Sequence, residues 1–447
     1  MSKLFALAPA LVLGLALALL CGRAAAQPPP APTTAALTLA GSIALPGVAN
    51  RIGAAKFDKL ALAGGLLFVA VKENGTLAVV DTAAGAFVAS IEGLEEPQGV
   101  EVVAALGLVL VATAGDGLLH GFAAAAPFAE AFPPLTVGLD ADNVKCEKEP
   151  SAGGGFECWV AHGGGGAPAG MAHVRVSAGS LEWLGDTPFP AHPEEHQLAP
   201  RALSSLMYVS CPDDNSNVLV FDRAKRSVVA SWPLLLSGAS GPFANALDAA
   251  GLRLFVATQD NDGLAAAPRF LVLNVLDGSV VFSMDTVAVC DNVVYDVDAR
   301  LIYVACGGTT GSVGSTLYVI QQGASADEYT PLGVAQGMPA GLAIARTAVF
   351  DPVTALLYLG VPFNDDISPA QPAAVLVFRR TLPPVAPAAA AAAGCAAGSL
   401  PPAVVGGLTI GVALVCLAAG AALGRLRACG GAPKVESGDE AGAYSLA

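Results

Sequence analysis

The sequence predicts an all-β chain folded as a seven-bladed β-propeller, and three observations carry that expectation. A short apolar anchor recurs at Leu67-Phe68-Val69-Ala70, Val109-Leu110-Val111-Ala112, Cys158-Trp159-Val160-Ala161 and Met207-Tyr208-Val209-Ser210. It returns at Leu254-Phe255-Val256-Ala257, Ile302-Tyr303-Val304-Ala305 and Leu357-Tyr358-Leu359-Gly360. The second residues of these anchors stand 42 to 55 residues apart, the period of a four-stranded propeller blade. Most anchors are then followed by a turn and a further strand pattern, as at 118–122, 172–176, 218–222, 270–274, 317–320 and 375–378. Finally, the segment from Leu39 to Gly47 resembles the outgoing strand at 87–93 but has no anchor ahead of it, while the last repeat lacks an outgoing strand. Residues 37–46 are therefore expected to complete the last blade, which leaves the ring without an open sheet edge.

The first repeat shows how one unit is written. Leu67 to Val71 is an apolar strand, Lys72-Glu73-Asn74-Gly75 turns, Leu77-Ala78-Val79-Val80 returns, and Phe87 to Ile91 leaves. Asn-Gly favours a type I′ hairpin turn, because both residues tolerate positive φ. Such a unit cannot bury both faces of its small sheet alone, so it needs neighbouring copies.

Outside the repeats, residues 1–26 read as a signal peptide. Lys3 precedes the apolar run 4–20, and Ala24-Ala25-Ala26 offers a cleavage site. Residues 27–36 form a linker, and 37–380 the propeller. At 381–402 the composition turns to Pro and Ala, as in a stalk. Residues 403–424 hold a run of uncharged residues long enough to cross about 30 Å of hydrocarbon. Arg425 and Arg427 follow as a positive cytoplasmic flank, opening a short tail, 425–447. The expected topology is single-pass type I, in the secretory pathway and its membranes, with the propeller extracytoplasmic. The net charge of −15 argues against nucleic acid as a partner. Asn74-Gly75-Thr76 is a glycosylation sequon on a hairpin tip. Cys146 and Cys158 flank one hairpin and Cys290 and Cys306 another, which makes them two candidate disulfides in an exported chain.

Candidate site residues come from the segments just ahead of each innermost strand. They are polar in a chain whose charged residues are only 13% of the total, and in a propeller they face the channel mouth. The candidates are Asp58, Gln98, Asp142, Asn143, His192, Glu194, His196, Asn245, Asp291, Asn292 and Arg346. Carboxylates and amides around one axis suit a divalent cation or a small polar ligand held by hydrogen bonds. Solvated residues pairing across blades are the plainer alternative. The pair His192 and His196 is not a helical zinc motif, because Pro193 interrupts it and the H-E-x-x-H order is absent. No catalytic motif stands out.

At these residues the chain resembles the YVTN-type β-propeller repeat proteins, the YncE-like group that shares its fold with quinoprotein amine dehydrogenase β chains. The similarity rests on Lys56-Phe57-Asp58-Lys59-Leu60, Glu96-Pro97-Gln98-Gly99-Val100, Asp140-Ala141-Asp142-Asn143-Val144 and His192-Pro193-Glu194. Phe243 to Asp248, Asp291 to Asp296 and Leu357 to Pro362 complete it. The resemblance implies the fold and export, and it implies no particular activity. A transmembrane anchor with a spacer departs from the simpler exported members. The expected function is a membrane-anchored ectodomain that binds a protein or a small polar ligand without catalysis. The alternatives are a channel-mouth, metal-dependent hydrolase of lactones or esters, and a structural surface protein. The cofactor stays open, with a divalent cation in the channel as the candidate.

Overall fold

A computed structural model describes residues 36–48, 57–214, 217–259, 268–286, 289–307, 314–342, 344–363 and 371–383. The signal segment, the stalk beyond 383, the span 403–424 and the tail lie outside the described residues, as do Cys395, Cys416 and Cys429. A second unit, 388–447, is likewise outside them. Among the described residues no helix is long and apolar enough to cross a membrane.

The described strands form seven four-stranded antiparallel sheets. The first strand, β1 (Leu37–Ala44), stands apart from its sequence neighbours. Blade 1 follows as β2 (Phe57–Ala63), β3 (Leu66–Val71), β4 (Thr76–Asp81) and β5 (Ala86–Glu92). Blade 2 is β6 (Pro97–Val103), β7 (Leu108–Thr113), β8 (Leu118–Ala123) and β9 (Leu135–Thr136). Blade 3 is β10 (Val144–Cys146), β11 (Phe156–His162), β12 (Gly170–Ser177) and β13 (Ser180–Pro188). Blade 4 is β14 (Glu195–Leu198), β15 (Leu206–Cys211), β16 (Asn217–Asp222) and β17 (Ser227–Pro233). Blade 5 is β18 (Pro242–Asp248), β19 (Arg253–Thr258), β20 (Arg269–Asn274) and β21 (Val280–Asp285). Blade 6 is β22 (Val289–Asp296), β23 (Leu301–Gly307), β24 (Thr316–Gln322) and β25 (Tyr329–Val334). Blade 7 is β26 (Thr347–Asp351), β27 (Leu356–Val361) and β28 (Ala374–Arg380), and β1 pairs antiparallel with β28 as its outermost strand. The ring is thus closed by its own N-terminal strand, as expected. The first strand of each blade touches those of its neighbours all round the ring, β26 meeting β2 to close it. These strands line the channel.

The anchors are the second strands, and their burial explains why they are apolar without alternation. Leu67, Phe68, Val69, Ala70 and Val71 are all fully buried, because both faces of each blade pack against neighbouring blades. The outermost strand β5 instead alternates exposed and half-buried residues. Both candidate disulfides form, Cys146 with Cys158 and Cys290 with Cys306. Each pair consists of register partners that staple an innermost strand to its anchor.

One turn departs from expectation. Lys72–Asn74 form a 3-10 turn, and only Gly75 takes positive φ, at 65°. With four residues between Val71 and its partner Thr76, the chain needs a single left-handed residue rather than the two of a type I′ turn. Glycine is required there, since a Cβ would stand 2.4 Å from the Leu94 carbonyl oxygen, which Gly75 approaches as its own carbonyl accepts from the Leu94 amide. Asn74 is half-buried rather than a free tip, and its Oδ1 is buried.

The two faces of the ring differ. Innermost strands start at the mouth face, while the turns joining them to the anchors lie on the far face. The last strand, β28, runs from mouth to far face, where the Arg380 amide donates to Ala355.

Candidate functional site

Each blade contributes at least one side chain to a cavity of about 160 Å³ at the channel mouth. They are Asp58, Gln98, Asp142, Glu194, Phe243, Asp291 and Arg346, in blade order, joined by Lys59, Lys72 and Glu195. The backbone device that turns these residues inward is visible in the register. In β2 the residues Asp58 and Lys59 together oppose the single Ala70. Gln98 and Gly99 likewise oppose Ala112, and Phe243 and Ala244 oppose Ala257. Asp291 is the extra residue between Cys290 and Asn292. Such β-bulges bend a strand and re-aim its side chains. In blade 3 the Asp142 amide donates to Ala161, whose own amide donates to Asn143. In blade 4 the Glu194 amide donates to Ser210. The small last residue of every anchor therefore sits opposite the segment that feeds the mouth.

The packing here is close. A Cβ on Gly99 would fall 1.9 Å from the Asp142 carbonyl oxygen, so only glycine lets blade 2 approach blade 3. With its amide oriented so that both ends are satisfied, Gln98 donates to Asp58 Oδ2 at 3.0 Å and accepts from Lys72 Nζ at 3.1 Å. Arg346 pairs with Asp291, which also accepts from Gln259. Below the mouth, Lys59 crosses the channel to Glu195 at 2.6 Å, and Lys145 lies 3.7 Å from the same carboxylate. His192 approaches Asp142, Nε2 to Oδ2, at 3.7 Å. Asp142 Oδ1 and His192 Nδ1 are buried without a hydrogen-bond partner.

Crowded carboxylates raise one another's proton affinity. Burial, reinforced by Asp142, pushes the Asp58 carboxyl up to about 6, against the pull of Lys59 and Lys72. Burial, with Asp142, Asp291 and Asp58, pushes Glu194 up to about 8, against His192. Burial disfavours charge on His192, but Asp142, then Glu194 and Asp140, overcome it and raise the ring to about 9. Burial would also discharge Lys59, yet Glu195, Asp142 and Asp58 hold it protonated. Glu195 is buried too, and Lys59 and Lys145 keep it below the usual carboxylate range. The throat is thus a settled ion-pair network, while the mouth crowds four carboxyl groups around Lys72, Arg346 and one imidazole.

Of the sequence candidates, Asp58, Gln98, Asp142, Glu194, Asp291 and Arg346 line the cavity and His192 borders it. Asn143, His196, Asn245 and Asn292 are not among its lining residues. His196 is fully buried, with Nε2 3.2 Å from the Trp159 carbonyl oxygen of blade 3. Asn245 donates to the Glu195 carbonyl and to Ser210 Oγ in blade 4. Asn292 accepts from the Ala348 amide of blade 7. These three tie blade to blade. Asn143 is buried at 1% exposure with both amide atoms unpaired. Lys59, Lys72, Phe243 and Glu195 were missed. Lys59 and Glu195 are charges within innermost strands of a chain with few charges, a signal that could have found them. Lys72, by contrast, comes from the turn after an anchor, and Phe243 carries no charge.

No protein-family model matches the chain, and no curated protein sequence matches it. Solved structures do match its fold. One from the mitotic checkpoint complex is 12% identical, with a TM-score of 0.57, over 79% of this chain and 95% of that one. The WD40 repeats of RRP9 are 8% identical with a TM-score of 0.57, covering 78% of this chain and 99% of theirs. A chain of hydrazine synthase from Kuenenia stuttgartiensis is 13% identical with a TM-score of 0.55, covering 70% of this chain and 95% of that one. At such identities the likeness establishes the propeller fold.

Proposed function

We propose that this chain is a non-catalytic binding propeller of the YVTN type, exported and anchored by the span 403–424, whose channel mouth receives a protein partner or a small polar ligand. The observation that carries the reading is convergence: every blade aims at least one residue at one cavity, and in six of the seven blades those residues are polar or charged. A ring that only needed to close could fill its axis with aliphatic side chains, as its anchors do. β28 ends on the far face, where the Arg380 amide donates to Ala355. The described chain at 381–383 therefore leaves the ring on the face opposite the mouth. The fold is compatible with protein partners, since one similar chain belongs to an assembly, the mitotic checkpoint complex.

The test compares partner or ligand capture by the wild-type chain with capture by Asp58→Asn, Asp291→Asn and the far-face variant Val353→Asp. Binding lost in the mouth variants and kept in Val353→Asp is expected. Binding that survives both mouth variants overturns the proposal. A second reading, metal-assisted hydrolysis of a lactone or ester, is favoured by the cluster of Asp142, His192 and Glu194 at the same mouth. Turnover of model lactones that disappears with chelator would replace the binding reading with that one.

A further inference from the structure

We propose that Asp142, His192 and Glu194 form a site for one divalent transition-metal cation, of the zinc and manganese class, at the blade 3 and blade 4 side of the mouth. This rests on the mouth being the binding face and names part of what it holds.

One ligand atom from each residue lies within 4.8 Å of the other two. Asp142 Oδ2 and His192 Nε2 are 3.7 Å apart, too far for a hydrogen bond. Two ligands of one ion, each bonded at about 2.0–2.2 Å, stand about 3–4 Å apart, which is the spacing of Asp142 and His192. One further atom points to a missing partner. Asp142 is 6% exposed and its Oδ1 has no hydrogen-bond partner. Buried polar atoms are ordinarily paired.

The chain is built to present these donors. His192 precedes Pro193, which biases it to extended backbone, and in extended chain residues i and i+2 point the same way. His192 and Glu194 therefore face the mouth together, while Asp142 comes from the neighbouring blade. An imidazole with two carboxylates suits zinc, manganese or iron. It does not suit Ca²⁺, which takes six to eight oxygen ligands. Three protein ligands leave positions open for a donor group of the ligand or partner, as in open zinc sites.

The test uses the purified full-length chain in detergent. After Zn²⁺ loading and dialysis, one equivalent of metal is expected per chain, with a melting midpoint that rises saturably for Zn²⁺ or Mn²⁺ and not for Ca²⁺ or Mg²⁺. Asp142→Asn and His192→Gln should each weaken binding by more than about tenfold. Glu182→Gln, an exposed blade 3 carboxylate paired with Arg175, should keep it. Failure of the wild type to retain metal, or equal retention by Asp142→Asn and His192→Gln, overturns the proposal. If those variants do not fold, Co²⁺ added to the wild type decides: a four- or five-coordinate absorption band is expected, and an aqua-ion spectrum overturns the site. A chain that holds no metal yet loses its partner on Asp58→Asn refutes the cation alone. Metal held with partner binding indifferent to every mouth variant refutes the binding reading alone.

Discussion

Gly99 shows at the residue scale how closely the mouth is built. Its absent side chain leaves room for the Asp142 carbonyl, so the identity of one residue in blade 2 sets the position of a ligand residue in blade 3. Gly99→Ala should cost about 1–3 kcal/mol through overpacking, read by denaturant unfolding, and should weaken whatever the mouth binds. An unchanged midpoint would mean that the blades can part freely there. His173 gives a second residue-scale prediction. It stacks on Trp159 at 4.0 Å between ring centres. Its Nδ1 accepts from Arg226 at 2.9 Å while Nε2 donates to Glu157 at 3.1 Å, a pattern only the neutral ring can make. Burial, aided by Arg226, lowers its affinity for a proton to about 4. The unfolded chain therefore binds the extra proton between the ordinary value of 6.5 and about 4, and stability falls as pH drops through that window. Melting midpoints from pH 7.5 to 4 should show the fall, and His173→Gln should lessen it, leaving the share of His196, which burial likewise lowers to about 4.

Among elements, the bulges and the last strand decide most. Arg380, the final residue of β28, pairs with Asp296 of blade 6 at 2.5 Å, with Tyr303 Oη donating to the same carboxylate at 3.4 Å. Asp296 is 1% exposed, so Arg380→Ala leaves a buried charge without its cation and should cost about 3–5 kcal/mol. Reduction of the two disulfides should cost about 2–4 kcal/mol each, seen as a lower melting midpoint in dithiothreitol. The anchors were legible in the sequence because strands buried on both faces must be continuously apolar. The turn at Asn74 was not, since the dipeptide Asn-Gly says nothing of how many residues the loop contains. The bulges were also hidden. Asp142 and Asn143 are neighbours, yet only Asp142 lines the mouth, and Glu194 lines it while His196, two residues on, bonds to blade 3. Sequence pattern located the polar segments, but the inserted residue that chooses which side chain turns inward leaves no mark beyond the small anchor residue opposite.

For the whole molecule, closure is the condition on which everything else rests. β1 pairs with β28 from Leu37 to Ala44, so a chain beginning at Pro46 should expose an edge strand and lose cooperative unfolding. A sharp two-state transition without those residues would show that the ring does not depend on its own N-terminus. The central claim, that the mouth face does the binding, is tested most directly by photo-cross-linking on intact cells. One cross-linker replaces Glu96, whose side chain is 58% exposed beside Lys72 at the mouth. The other replaces Val353, 92% exposed on the far face. A partner captured from position 96 and not from position 353 is the predicted result. Capture from 353 alone would contradict the account and move the function to the opposite face.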